Sequence, residues 1–251
     1  QHFRFGSPIR TDSVVQDIPV SSDAVPFLTA DADGWVYTMA PDAIVYGLGE
    51  MPRGINKRGW HYVANNTDES HHGENKVSYY GAHNFLLIDG GPGGDLFGVF
   101  VDFPGKVHYD IGYTVHDTLR FATEEPDYEL YILTGADLND IAHQFRQLIG
   151  RSYIPPKWAF GLQQSRWGYK TAEDVREVAR QYKENDLPLD MICMDIDYMQ
   201  DYADFTINKE RFPDLAALAA ELKAQGIRLV PIIDAGVRID PEEPTCTEGL
   251  E

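Results

Sequence analysis

The run Met191-Ile192-Cys193-Met194-Asp195-Ile196-Asp197-Tyr198-Met199 holds the strongest chemical signal in the chain. It opens as an uninterrupted apolar segment, the pattern of a strand buried on both faces of a parallel sheet. It closes on two carboxylates. Residues two apart on a strand project to one face, so Asp195 and Asp197 are expected side by side if the strand persists. Carboxylates at a strand end can accept hydrogen bonds from hydroxyls, ligate a metal such as magnesium, or move protons. A helix cap or a structural ion pair is the plainer reading of either acid.

Two further runs end in a similar way. Gln163-Gln164-Ser165-Arg166-Trp167-Gly168-Tyr169 brings aromatic rings beside polar groups, and Pro231-Ile232-Ile233-Asp234 again finishes on an acid. The apolar face of a pyranose stacks on an aromatic ring, so rings and carboxylates gathered at strand ends suit sugar recognition. Packing beneath a loop is the commoner fate of residues such as Trp167 and Tyr169. The recurrence of the pattern on successive segments says more than any one of them.

The elements that must position these residues differ between the two parts of the chain. Up to about residue 135, short β-type runs alternate with turn signals. Phe85-Leu86-Leu87-Ile88 and Leu96-Phe97-Gly98-Val99-Phe100-Val101 flank a Gly/Pro/Asp cluster and are expected to pair antiparallel. Runs at 107–111, 118–122 and 128–134 follow, and many short strands suggest a β-sandwich. Residues 137–150 look helical, with Leu138, Ile141, Ala142, Phe145, Leu148 and Ile149 on one face.

Pro155-Pro156 marks a boundary. Beyond it, strands are expected at 158–163, 189–195 and 227–233, alternating with helices at 171–185 and 213–225. Thr171 and Asp174 have the spacing of an N-terminal cap, and Gly226 suits a C-terminal one. Such alternation is the signature of βα units on a parallel sheet, open or closed into a (β/α)8 barrel. A barrel takes roughly 250 residues, so any barrel starting here is incomplete within the chain. The tail, 240–251, reads as a polar loop.

The 251 residues carry 21 Lys and Arg against 40 Asp and Glu, a formal charge of −19, with 43% hydrophobic residues. That affords a sizeable core and argues against nucleic acid or an anionic membrane as partner, since both select a basic footprint. No glycine-rich phosphate loop follows a strand, which removes support for nucleotide binding. Of two cysteines, Cys193 is expected as a buried free thiol, and Cys246 lies in the polar tail. Neither suggests zinc or a disulfide framework. The opening Gln1-His2-Phe3-Arg4-Phe5-Gly6 lacks the apolar stretch of a signal peptide. The expectation is a cytoplasmic protein, unless a signal has been removed ahead of this numbering. A homo-oligomer is compatible with the sequence.

Several blocks carry a resemblance. Tyr46-Gly47-Leu48-Gly49-Glu50, Tyr80-Gly81-Ala82-His83-Asn84-Phe85, Pro155-Pro156-Lys157-Trp158-Ala159-Phe160-Gly161, Ser165-Arg166-Trp167-Gly168-Tyr169 and Asp195-Ile196-Asp197-Tyr198-Met199 occur in the order and spacing of glycoside hydrolase family 31. Asp204-Phe205-Thr206, Phe212-Pro213-Asp214 and Ile233-Asp234 continue it. From about residue 40 onward the chain resembles the N-terminal part of that family.

The resemblance implies an α+β multidomain chain: an N-terminal antiparallel β-sandwich over 1–150, then the first βα units of a (β/α)8 barrel over 151–251, the barrel incomplete. It implies retaining hydrolysis of terminal α-linked glucosides, with no metal and no organic cofactor. By resemblance Asp195 binds sugar hydroxyls in the −1 subsite, Ile196 and Ile232 line it, Trp167 shapes it, and Asp68 is lent by an N-terminal loop. Asp197, Asp234 and Arg166 are supporting residues. The family's nucleophile lies in a Trp-x-Asp-Met context and its acid/base further on; neither motif occurs here, so both are expected beyond Glu251. The isolated chain is then expected to be inactive, and the rest of the barrel to come from a further segment or another chain. The alternative is a catalytically inactive carbohydrate-binding or assembly module with the same fold.

Overall fold

The computed structural model describes residues 2–3, 27–234 and 236–250. Apart from His2 and Phe3, the opening segment read for a signal peptide lies outside them. The chain divides into two compact units, Gln1–Ser152 and Tyr153–Glu251.

The first unit is built from β1 (His2–Phe3), β2 (Leu28–Asp31), β3 (Gly34–Thr38), β4 (Ile44–Gly49), β5 (Trp60–Ala64), β6 (Ala82–Asp89), β7 (Leu96–Asp102), β8 (Val107–Ile111), β9 (Thr118–Thr123), β10 (Glu129–Thr134) and α1 (Leu138–Ile149). The strands form two five-stranded antiparallel sheets, in the orders β1-β10-β7-β6-β4 and β2-β3-β9-β8-β5. Their inward faces supply one core: Val45, Leu86, Ile88, Phe97, Val99, Leu130 and Ile132 from the first sheet, and Tyr37, Tyr62, Tyr109, Ile111, Leu119 and Phe121 from the second. Tyr37 meets Phe97 between the sheets, edge to face at 5.0 Å. This is the β-sandwich that the alternating runs imply. The expected pair around 89–95 forms as β6 and β7, with Phe85 opposite Phe100.

The outer face of the first sheet is covered by α1. Asp137 caps it by accepting from Asp140 N at 2.9 Å, and Ile141 is fully buried. Gly98 permits that approach, because a Cβ there would stand 2.7 Å from Ile141 Cγ2. Phe145 stacks on Phe85 at 3.8 Å. Ile149, expected on the packed face, is exposed at the helix end.

The second unit contains β11 (Gln163–Arg166), α2 (Ala172–Glu184), β12 (Met191–Met194), α3 (Leu215–Ala224), β13 (Arg228–Pro231) and α4 (Pro244–Leu250). β11, β12 and β13 form a parallel sheet with β12 in the centre. Ile192 and Met194 pack with Val175, Ala179, Leu218, Leu222 and Phe212 in a second core. Thr171 and Asp174 form the reciprocal cap on α2, and Asp214 caps α3. Among the described residues these are opening βα units without closure into a barrel, as the alternation implies.

Four expectations are corrected. Residues 158–163 do not form a strand: Lys157–Phe160 is a 3-10 turn, and β11 starts only at Gln163. Pairing opposite β12 begins with Gln163 and Met191, so the preceding apolar residues have no strand beside them, and Phe160 stays 73% exposed. One step earlier Asp190 takes over, accepting from Leu162 N through Oδ2 at 3.1 Å and from Arg228 N through its carbonyl at 2.8 Å. Second, β12 ends at Met194, and Ile196–Tyr198 is a 3-10 turn capped by Asp195. Asp195 and Asp197 therefore do not share a strand face. Third, the tail contains α4, with Pro244 at its first position, where a missing N–H costs nothing. Fourth, Cys193 is only half-buried, whereas Cys246, in α4, is the buried thiol; both are free.

Candidate functional site

The sheet register sets the site. Arg166 pairs with Met194, and Met194 with Pro231. Trp167, Asp195 and Ile232 are the next residue on each strand and so stand at one level along the C-terminal edge. Ile232 N donates to Met194 O at 2.9 Å, continuing the ladder one step further. The edge is an open ledge rather than a closed pocket: Trp167 is 69% exposed and Ile232 41%, with Asp195 and Ile196 half-buried between them. Arg166 and Asp234 are exposed beside it.

Asp195 Oδ1 accepts from Ile196 N at 2.8 Å, which fixes the carboxyl at the strand end; among the described residues no hydrogen bond engages its Oδ2. Asp197 turns inward and is 4% exposed. It accepts from the Tyr202 hydroxyl at 3.3 Å, and Arg211 Nη1 lies 3.9 Å from it while donating to the Asp197 carbonyl at 3.4 Å. A buried carboxylate is tolerable only with such partners. Tyr198 is buried, and its hydroxyl donates to Ile232 O at 2.8 Å. Burial pushes that phenol's pKa up, and the charge of Asp204 adds to the effect, so it stays a neutral donor. Asp204, 6% exposed, accepts from Gly236 N at 3.4 Å through Oδ2, while its Oδ1 has no partner among the described residues. Tyr198, Arg211 and Asp204 thus hold the ledge. Tyr198 and Asp204 fall in recognisable motifs, but nothing in their spacing reveals these contacts.

Trp167 follows a strand fixed from below. Gln164 Nε2 donates to the Tyr169 hydroxyl at 2.9 Å, and the Tyr182 hydroxyl on α2 donates to Gln164 Oε1 at 2.6 Å. Tyr169 is buried and Trp167 is not, so of these two rings one is structural and one is available. Burial raises the Cys193 thiol pKa, which keeps it protonated and inert. Among the described residues, no three or more His, Cys, Asp and Glu side chains group to hold a metal ion.

Asp68 belongs to the first unit, exposed on the loop after β5, where the Tyr80 hydroxyl donates to its Oδ1 at 2.8 Å. Several contacts shape this loop. Ala82 N donates to Asn66 Oδ1 at 2.8 Å, Thr67 N to Tyr79 O at 3.0 Å, and Arg53 Nε to Glu74 O at 2.6 Å. Beside it is a cavity of about 310 Å³ lined by residues including Asn65, Asn66, Asn84 and Phe103.

The architecture is an antiparallel sandwich followed by opening parallel βα units with acid and aromatic residues at the strand ends. The chain belongs to glycoside hydrolase family 31. Residues 20–110 match the glycosyl hydrolase 31 N-terminal galactose mutarotase-like domain, and residues 152–251 match the glycosyl hydrolases family 31 TIM-barrel domain. Alpha-glucosidase 2 of Bacillus thermoamyloliquefaciens is 39% identical over 207 residues, 82% of this chain and 26% of that protein. Human intestinal sucrase-isomaltase is 31% identical over 219 residues, 85% of this chain and 12% of its own. The GH31 dextranase of Flavobacterium johnsoniae, solved in complex with glucose, superposes with a TM-score of 0.69 at 26% identity, covering 82% of this chain and 25% of the other. The chain thus spans about a quarter or less of the length of these relatives. Among the described residues no helix is long and apolar enough to cross a membrane.

Proposed function

We propose that these residues are the front part of a retaining α-glucosidase that removes terminal α-linked glucose. The names of the relatives support this reading, and the shared level of Trp167, Asp195 and Ile232 at the sheet's C-terminal edge carries it. Active sites of β/α barrels lie at that end of the strands. In this reading Asp195 accepts hydrogen bonds from hydroxyls of the −1 glucose through its Oδ2. Ile196 and Ile232 line the sugar's apolar face, and Trp167 sets the shape of the pocket mouth. Asp68, on the N-terminal loop, is assigned a substrate-binding role by the family resemblance alone. Asp197, Asp234 and Arg166 support the pocket.

Retention requires a nucleophile and an acid/base about 5–5.5 Å apart. Asp195 and Asp197 do not suit that pair, since the first caps a turn and the second is buried against Arg211. No Trp-x-Asp-Met run occurs in the sequence, so we assign both catalytic carboxylates to polypeptide outside these residues. β13 pairs only with β12 among the described residues, and Ile233 beside it is 51% exposed. A further parallel strand on that edge would cover it. The test is to incubate the complete polypeptide with p-nitrophenyl α-glucoside, whose leaving group is not glucose, and follow the released anomer by proton NMR. Initial release of α-glucose supports the reading. Release of β-glucose, or no hydrolysis of any α-glucoside, overturns it.

A further inference from the structure

We propose that Tyr202, on the loop after β12, is a specificity-determining residue whose ring stacks against the leaving-group sugar. The inference rests on the glycosidase reading above and extends it to the neighbouring subsite.

Six non-glycine residues among those described have positive φ, and half fall in this one loop: Asp201 at 50°, Tyr202 at 62° and Phe205 at 63°. Side-chain-bearing residues avoid that region because Cβ crowds the backbone, so the loop holds it only where its surroundings dictate it. They do. Ala203 and Asp204 are buried. Gln200 N donates to Thr206 Oγ1 at 2.9 Å, Thr206 Oγ1 to Ala203 O at 2.6 Å, and Ala203 N to Gln200 O at 2.9 Å. The loop is short, tightly tied and held in an unfavourable backbone conformation.

That conformation places Tyr202 with its hydroxyl on the buried Asp197 carboxylate, while the residue as a whole remains 56% exposed. The hydroxyl is anchored two residues beyond Asp195, in the turn that follows β12. A phenol ring with one fixed edge, on the loop that leaves the turn begun by Asp195, has the chemistry to take a second pyranose ring through its C–H face. A leaving group without a ring gains nothing from it.

The test compares two substrates in the complete enzyme. One is α-glucosyl fluoride, whose leaving group cannot stack; the other is a glucose disaccharide, maltose or isomaltose. In Tyr202→Ala the ratio of kcat/KM for the disaccharide to that for the fluoride is expected to fall at least about fivefold, mainly through KM. Tyr202→Phe, which keeps the ring, should retain most of the wild-type ratio. A ratio within twofold of wild type in Tyr202→Ala overturns the proposal, whatever happens to either rate alone. So does an equal collapse of the ratio in Tyr202→Phe, which would assign the effect to the hydroxyl. A wild-type enzyme that hydrolyses neither substrate refutes the glycosidase reading itself, and the Tyr202 inference with it.

Discussion

The Tyr198 hydroxyl donates to the carbonyl of Ile232 at 2.8 Å, so the turn that begins at Asp195 also holds the end of β13. Two neighbouring strand ends are fixed to each other by a buried side chain. The position of Ile232 relative to Asp195 therefore depends on a buried phenol.

Tyr198→Phe should loosen that relationship without removing any group from the ledge. A lost intramolecular hydrogen bond costs about 0.5–1.5 kcal/mol, small beside the stability of a whole domain. Hydrogen exchange should speed up at the amides of 232–234 while those of β11 stay protected. Unchanged exchange at 232–234 would mean the ladder alone fixes the strand end.

Asp195→Asn should separate binding from folding. Asparagine keeps an oxygen for the Ile196 N–H, so the turn stays capped, but the charge that strengthens hydrogen bonds to sugar hydroxyls is lost. In the complete enzyme kcat/KM on an α-glucoside should fall by about a hundredfold or more, with the melting temperature nearly unchanged. Near-wild-type turnover would remove Asp195 from the substrate contacts.

The opposite edge of the small sheet gives a stability prediction. A Cβ on Gly161 would lie 2.1 Å from Asp190 Oδ2, and Asp190 ties β11 and β13 to β12 through Leu162 and Arg228. Gly161→Ala should destabilise this unit by about 1–3 kcal/mol. In an Asp190→Ala background, the added cost of Gly161→Ala should shrink, because the two tightest contacts, with Asp190 Oδ2 and Cγ, are gone and only the Cβ at 2.7 Å remains. Denaturant titration of the four variants measures both; additive costs would contradict the explanation.

Acid should open the loop that carries Asp68. A hydrogen bond from Lys76, with a second from the His71 backbone, holds the Glu69 carboxyl below its usual range. Its folded pKa is thus lower than its unfolded one. The stabilisation is complete above the ordinary glutamate value and is lost as pH falls through the depressed folded value. NMR chemical shifts of residues 69–76 should move together in that acidic window. In Glu69→Gln that transition should disappear; its persistence would assign it to another group.

Much of this structure is legible in the residues, for identifiable reasons. Strands with strict alternation, such as Val107–Ile111, have one face in the core and one in water, so period and placement agree. Thr171 and Asp174 announce a helix start because the cap is local chemistry. The central parallel strand is visible because both its faces are buried. The misreadings arise where neighbours decide. The apolar run before Gln163 resembles a strand but has none beside it, and Asp195 ends β12 by capping the turn. Strands β2 to β5 are short, and several of their positions are exposed, as in Leu28–Asp31, so no period stands out. The short helix Pro244–Leu250 contains Thr and Gly, poor helix formers, and has no apolar stripe. For the candidate site, the strand-end residues are readable from motifs, but the inward turn of Asp197 and the clasp of Tyr198 on Ile232 depend on contacts distant in sequence.

That the ends of β11, β12 and β13 cradle one sugar ring can be seen in a crystal structure of the complete enzyme with bound glucose. Sugar hydroxyls should lie within hydrogen-bonding distance of Asp195 Oδ2, with Trp167 and Ile232 in van der Waals contact with the same ring. A glucose bound elsewhere, with those three side chains touching only solvent or protein, would contradict it.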